Sequence, residues 1–276
     1  MILQNASPSE LDQAIIENYH QAWLKILQVF EYPDPYELFG IHGFLSGIHY
    51  MMMNSLFDGD PRMTHIDVKE VLEYFSQNQI PMMWFLGPKS QQAGLGRILD
   101  DLDVERASME VPGMSVDLSK HERNELEKKM GNHDIRMINP DDQQLLDGYA
   151  EIFMQAFEVD PTIRDQMRQF AAAVPSHPDS SHFYVSKDGN PVAIASVIYE
   201  AGVAGIYHIA TLPEYQGQGI ATALMSKLLL DAKQRGYQYS ILHSSKRGKK
   251  LYENLGYRVN FWFDRYLLRP TDVGLA

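Results

Sequence analysis

Residues 207–236 read YHIATLPEYQGQGIATALMSKLLLDAKQRG, a strand that runs through a glycine-rich turn into a helix. Ile220, Ala223, Leu224, Leu228 and Ala232 are spaced to share one helical face, and Gly236 supplies a left-handed stop. The turn itself is Gln216-Gly217-Gln218-Gly219-Ile220-Ala221. Two glycines and a small alanine let backbone N–H groups converge on one concavity at the positive end of a helix dipole, which suits a pyrophosphate. The turn lacks the Lys-Ser/Thr ending of a Walker loop. A dinucleotide-binding turn would space its glycines differently and place an acidic residue on the ribose. Two glycines before a helix also serve plain tight turns, so the turn alone leaves both readings open.

Downstream, after the helix and the strand YSILHS, comes SSKRGKKLYENLGYRVNFWFDRYLL, a short basic helix closing on Leu-Gly-Tyr and leading to an expected final pair of strands. With these two motifs in this order, the sequence resembles the GNAT superfamily of N-acetyltransferases over about residues 133–269. The acetyl-CoA loop of that family follows Gln/Arg-x-x-Gly-x-Gly/Ala, and Gln216, Gly219 and Ala221 fill it. The resemblance implies acetyl-CoA as cosubstrate, with its pyrophosphate on the N–H groups of Gly217, Gln218, Gly219, Ile220 and Ala221. It implies a pantetheine arm paired with the strand that ends at Ile209, Ala210 and Thr211.

A tyrosine in the later short helix often protonates the departing thiolate in this family, and Tyr252 holds that position. A phenol with an ordinary pKa near 10 suits a thiolate leaving group, although packing beside Leu251 and Leu255 is a competing role for the ring. Members with a glutamate base carry it on the strand before the loop, where Gly205 stands here. His208 is then the candidate base, set against a buried structural histidine, with Glu200 and Glu214 nearby and a water chain as another route for the proton. Lys246, Arg247, Lys249 and Lys250 form a basic cluster, which suits either a solvated face or contacts to the nucleotide phosphates, with Lys249 the expected contact.

Composition bounds the other possibilities. A chain of 276 residues suits two domains. Hydrophobic residues at 45% and charged residues at 22% are ordinary for soluble globular proteins. The sequence has no cysteine, which removes disulfides, thiolate metal sites and cysteine nucleophiles together. His42 and His49 lack a third ligand at metal spacing, so no metal is expected. The opening MILQNASPSELDQ has no secretory pattern, and no stretch approaches the roughly 18 apolar residues of a membrane helix; a cytoplasmic protein without a membrane partner is expected. A net charge of −12 disfavours nucleic acid. Residues 1–130 carry 20 acidic and 10 basic side chains against 16 and 14 in residues 131–276, so an anionic ligand favours the second half.

Along the chain, Ser7, Pro8 and Glu10 predict a capped first helix with a stripe of Leu11, Ile15, Tyr19, Trp23, Ile26 and Phe30. Strands are expected at 48–57 (with Met51 to Met53 in strand and core) and 81–87. A helix follows Thr64 with Ile66, Leu72 and Phe75 among its apolar positions, another helix spans 90–102, and two short strands are broken by Pro112 and Gly113. Charged residues 119–132 form the candidate linker. Beyond it come a strand at 135–138, a helix opening at Asn139 and Pro140, a helix at about 161–174, and a meander around the turn Asp188-Gly189-Asn190.

The first half repeats this order of elements but carries Asp58, Asp60 and Arg62 where the coenzyme loop would be. It resembles the degenerate half of a tandem GNAT protein. The expected fold is thus mixed α/β: two tandem GNAT-like domains, 1–130 without the coenzyme loop and 131–276 catalytic. Each has a mostly antiparallel sheet flanked by helices, and the two pack as a monomeric pseudo-dimer. The expected activity is acetyl transfer from acetyl-CoA to a primary amine of a small molecule or peptide, by direct attack in a ternary complex. A noncatalytic acyl-CoA-binding sensor is the alternative, and the identity of the amine is not legible.

Overall fold

The computed structural model describes residues 1–27, 32–108, 111–139, 141–174 and 179–269. Helix α1 (Pro8–Leu27) opens on the expected capping box: Glu10 Oε2 accepts the Ser7 N–H at 2.8 Å and Ser7 Oγ accepts the Glu10 N–H at 3.4 Å. Ile15 and Trp23 of its stripe are buried and Tyr19 is half-buried, while Phe30 and the side chain of Ile26 lie outside the described residues. The chain divides by packing into a larger unit, residues 1–22 and 114–260, and a smaller one, residues 23–113 and 261–276.

The smaller unit contains α2 (Pro35–Phe39), β1 (His42–Leu45), β2 (Asn54–Phe57), α3 (His65–Gln77), β3 (Met82–Leu86), α4 (Pro88–Ala93), α5 (Leu95–Asp101) and β4 (Glu105–Arg106). Four details differ from the sequence reading. The strand expected over 48–57 is confined to its last four residues, because the buried Asn54 amide ties up the preceding loop: it accepts the Ser46 N–H and donates to the Ile48 and Pro81 carbonyls. Ile66 is 73% exposed, since the Thr64–Asp67 capping box starts α3 with that residue facing out. Gly94, at φ +84, splits the single helix expected over 90–102 into α4 and α5. Finally, Pro112 and Gly113 do not break a strand, for β5 (Val111–Asp117) runs through both.

The larger unit continues with α6 (Arg123–Met130), β6 (Asp134–Met137), α7 (Gln143–Ala156), α8 (Arg164–Ala173), β7 (Ser180–Lys187) and β8 (Asn190–Glu200). It closes with β9 (Val203–Thr211), α9 (Ile220–Gln234), β10 (Tyr239–His243), α10 (Lys249–Asn254) and the start of β11 (Arg258–Leu268). The side-chain cap of α7 is Asp142, not Asn139; Pro140 lies outside the described residues. One long strand, β11, replaces the expected final pair. Strands β6, β7, β8 and β9 pair antiparallel in sequence order, and β9–α9–β10 is a parallel crossover. Leu224, Leu228 and Leu229 of α9 pack with Ala195, Val197, Ala204 and Ile206 on one face of this sheet.

The packing division is not the contiguous split expected at residue 130. Leu126 of α6 is fully buried in the larger unit's core, together with Met114, Val116 and Leu118, so residues 119–132 are not a free linker. Strand β5 ends beside β10, whereas β11, after passing Asn260, pairs antiparallel with β3 from Asp264↔Leu86 to Leu268↔Met82. The strand that completes each unit therefore comes from the other half of the sequence. In both units a mostly antiparallel sheet contains one parallel strand–helix–strand crossover, β2–α3–β3 in the smaller and β9–α9–β10 in the larger. No helix among the described residues is long and apolar enough to cross a membrane.

Candidate active site

The β9–α9 connection begins as a short 3-10 turn, Pro213–Tyr215, and passes through Gln216, Gly217, Gln218 and Gly219. Gly217 and Gly219 lie at φ +75 and +78, the left-handed region that glycine enters without a Cβ penalty. A Cβ on Gly217 would meet nothing within 4 Å, and one on Gly219 would meet only His133 Nε2 at 3.9 Å. The glycines thus border open space. Gly219 is the N-cap of α9 and offers no side-chain cap; the helical ladder begins with the Ala223 N–H donating to Gly219 O at 3.0 Å. The N–H groups of Ile220, Ala221 and Thr222 are therefore among those that no helical carbonyl reaches.

Side chains brace this loop from outside. Gln216 donates through Nε2 to Thr211 O at 3.0 Å and accepts from Arg247. Gln218 donates to Glu214 O at 3.2 Å and accepts from Lys187 Nζ at 2.5 Å, while the Lys187 ammonium stands 5.6 Å from the Tyr215 ring centroid. Of the basic cluster, Arg247 is tied to the loop through Gln216, and Lys249 pairs with Glu253 at 3.6 Å. Beside the loop lies a cavity of about 430 Å³ whose walls include His133, Arg136, Lys187 and Ile220.

Strand β9 carries the second feature. Its ladder with β10 runs from Ala204↔Ser240 to Ile206↔Leu242, and residues 207–211 pair only with β8, which leaves one edge of β9 without a strand neighbour. Against β8 the register passes from Ser196↔Tyr207 to Ile194↔Ala210, so Ala195 alone opposes both His208 and Ile209. This is a β-bulge, with His208 at φ +54. Ile206 and Ile209 pack toward α9, and the extra residue turns the His208 ring to the other face, where Tyr149, Phe153 and Phe170 surround it. Its Nδ1 lies 2.5 Å from Tyr149 Oη. Burial, and secondarily the charge of His182, lowers its pKa to about 3, so the ring is neutral.

Tyr252 sits on α10 at 9% exposure, and burial pushes its phenol up to about 12. A Cβ on Gly248 would stand 2.8 Å from its ring, so the turn before α10 has room only for glycine there. At Gly205 the space is filled by Asn18 of α1. That amide donates to the carbonyls of Ile198 and Glu200 and accepts the Tyr207 hydroxyl at 2.5 Å. Sequence reasoning missed this amide, and also Tyr149, His182 and Ser196. The available signal was a serine inside the otherwise apolar run VAIASVIYE. His243, at the end of β10 where the parallel ladder stops, also escaped notice; burial lowers its pKa to about 3. Among the described residues no group of three or more His, Cys, Asp or Glu could hold a metal.

Residues 179–259 match the acetyltransferase (GNAT) domain family. No curated protein matches the sequence. Similar solved structures include a GCN5-related N-acetyltransferase from Kribbella flavida, at 16% identity over 82% of this chain and 86% of that one, with a TM-score of 0.58. A tandem GNAT protein from the clavulanic acid biosynthesis pathway gives 12% identity over 78% and 75%, also with a TM-score of 0.58. A GCN5-related N-acetyltransferase from Sphaerobacter thermophilus gives 14% over 79% and 73%, with a TM-score of 0.56. The chain shares its fold with these proteins, and residues 179–259, which contain both the loop and Tyr252, match the GNAT acetyltransferase domain family.

Proposed function

We propose that the chain moves an acetyl group from acetyl-CoA to a primary amine of a small molecule or peptide, by direct attack within a ternary complex. The observation that carries this reading is the 216–219 turn, with two left-handed glycines facing open space ahead of a helix without a side-chain cap. The N–H groups of residues 217–221 hold the pyrophosphate at the positive end of α9. The open edge of β9 at Ile209, Ala210 and Thr211 offers backbone partners to the pantetheine amides, and Arg247 fixes the loop through Gln216.

In the reaction the amine nitrogen attacks the acetyl carbonyl carbon, a C–N bond forms and the C–S bond breaks. Tyr252 gives its hydroxyl proton to the departing sulfur; a phenol raised to about 12 arrives protonated at neutral pH. His208 accepts the proton lost by the nitrogen, for which a neutral imidazole is the required form. The test is release of coenzyme A thiol with a panel of amines (polyamine, aminoglycoside, amino acid, peptide N-terminus), run beside calorimetric titration of coenzyme A. Titration without heat of binding refutes the reading. Binding without thiol release from any amine supports instead an acyl-CoA sensor, a reading favoured by the absence of a carboxylate at Gly205.

A further inference from the structure

Five side chains form an unbroken hydrogen-bonded row across the helix face of the larger unit's sheet. His208 Nδ1 lies 2.5 Å from Tyr149 Oη, which lies 3.0 Å from Ser196 Oγ. Ser196 Oγ lies 2.7 Å from His182 Nδ1, and His182 Nε2 lies 2.8 Å from Ser180 Oγ. Tyr149, Ser196, His182 and His208 are all buried, whereas Ser180, the first residue of β7, is only half-buried. One end of the row is the bulge beside the open edge of β9, and the other reaches the surface.

We propose that this row is a proton relay that carries the proton of the acceptor amine from His208 to solvent at Ser180. The inference rests on the acetyl-transfer reading and extends it. The amine proton enters at His208 Nε2, which is buried in this structure and meets the amine only once the acceptor is seated. The Nδ1 proton then passes to Tyr149 Oη, the Tyr149 proton to Ser196 Oγ, the Ser196 proton to His182 Nδ1, the His182 Nε2 proton to Ser180 Oγ, and the Ser180 proton to water. Each group gains one proton and gives one up, so none ends charged. Rotation of the hydroxyls and exchange of the ring tautomers reset the row.

Three observations support transport over simple packing. Every member is a hydroxyl or imidazole that can both donate and accept, which ionised carboxylates and ammonium groups cannot. The bulge that brings His208 into the row holds a non-glycine residue at φ +54, a strained conformation of the kind that collects at functional sites. A pocket edged by Phe153 and Phe170, with ring centroids 5.1 and 5.5 Å from that of His208, would accept an apolar ring with no need of strain or nitrogen.

The experiment uses the full chain with acetyl-CoA and an amine that the wild type acetylates. Tyr149→Phe and Ser196→Ala each remove one link while keeping the neighbouring shape; coenzyme A affinity and thermal midpoint serve as fold controls. Expected are a fall in kcat of about 10- to 10²-fold at unchanged coenzyme affinity, a proton inventory in mixed H₂O/D₂O that changes from curved to linear, and partial recovery on adding imidazole. Ser196→Thr, which retains the hydroxyl, should recover the curved inventory. Folded variants with the wild-type rate and inventory overturn the relay, as does a loss that neither imidazole nor threonine restores. A wild type that binds coenzyme A but acetylates no amine overturns the transfer reading and the relay with it; an active wild type with unaffected variants overturns the relay alone.

Discussion

Replacing Gly219 by glutamate should abolish coenzyme A binding while leaving the fold almost intact, and each part of that outcome can be sized. Gly219 sits at φ +78, where any L side chain costs about 1–2 kcal/mol. The new Cβ meets only His133 Nε2 at 3.9 Å, an ordinary contact, so no steric penalty adds to the backbone cost. A carboxylate at the N-terminus of α9 returns roughly 0.3–1 kcal/mol through the helix dipole. The net loss is about 1 kcal/mol, or a fall in thermal midpoint of about 2–4 °C for a unit of this size. The same carboxylate, some 5 Å from a pyrophosphate in a medium of effective dielectric near 20, opposes each unit of its charge by about 3 kcal/mol. That is about 10²-fold in Kd per charge. Gly219→Ala carries the same backbone cost without the charge and should bind measurably, though more weakly than wild type. Calorimetry and thermal melts on the three proteins decide the matter. Unchanged affinity in Gly219→Glu refutes the placement of the pyrophosphate, and equal losses in the two variants refute its electrostatic basis.

Tyr252→Phe keeps the ring and removes the proton, so turnover should fall by about 10²-fold or more with coenzyme affinity spared; wild-type turnover would reduce Tyr252 to packing. Stability should depend on pH through His208 and His243, each lowered from 6.5 to about 3 by burial. Below about pH 6.5 the unfolded chain takes up protons that the folded chain refuses, so stability falls as the pH drops toward 3. Urea melts of His243→Phe should show a slope shallower by up to one proton, about 1.4 kcal/mol per pH unit, and an unchanged slope would contradict its burial as a neutral ring. Titration should also give one coenzyme A per chain, since Asp58 and not a glycine-rich loop follows β2; two sites would be incompatible with that assignment.

Features written in short stretches of sequence were the legible ones. The capping boxes of Ser7 with Glu10 and Thr64 with Asp67, the left-handed stop at Gly236 and the strand–turn–helix at 207–236 all depend on residues within a few positions of each other. What could not be read depends on distant partners. Asn54 collects loop groups from both sides of itself and shortens a strand that alternation alone would extend. Gly205 looks in the sequence like the loss of a base. In the folded chain it is a packing requirement, because Asn18 of the first helix occupies the space a side chain would need. The exchange of β5 and β11 likewise leaves no local trace, since either strand reads the same whichever sheet receives it.

The two crossovers of this chain separate scaffold from site. β2–α3–β3 and β9–α9–β10 have the same parallel wiring, and both α3 and α9 bury an apolar face against their own sheet. After β2, however, the turn is self-sufficient. Asp58 accepts the Gly87 N–H at 2.7 Å through its carboxylate and the Trp84 indole N–H at 2.6 Å through its carbonyl, and Thr64 caps the helix. A Cβ on Gly59 would collide with Leu95 and Met63 at 2.9 Å, so no concavity opens there. After β9 the donors at the helix start are left without a side-chain cap and the glycines face empty space. A turn that closes on itself has fewer donors to offer an anion, and one that stays open leaves them to water or a ligand. On the proposed function, capacity for the coenzyme is a property of residues 216–221, where the connection enters α9, and the same supporting sheet and helix serve either purpose.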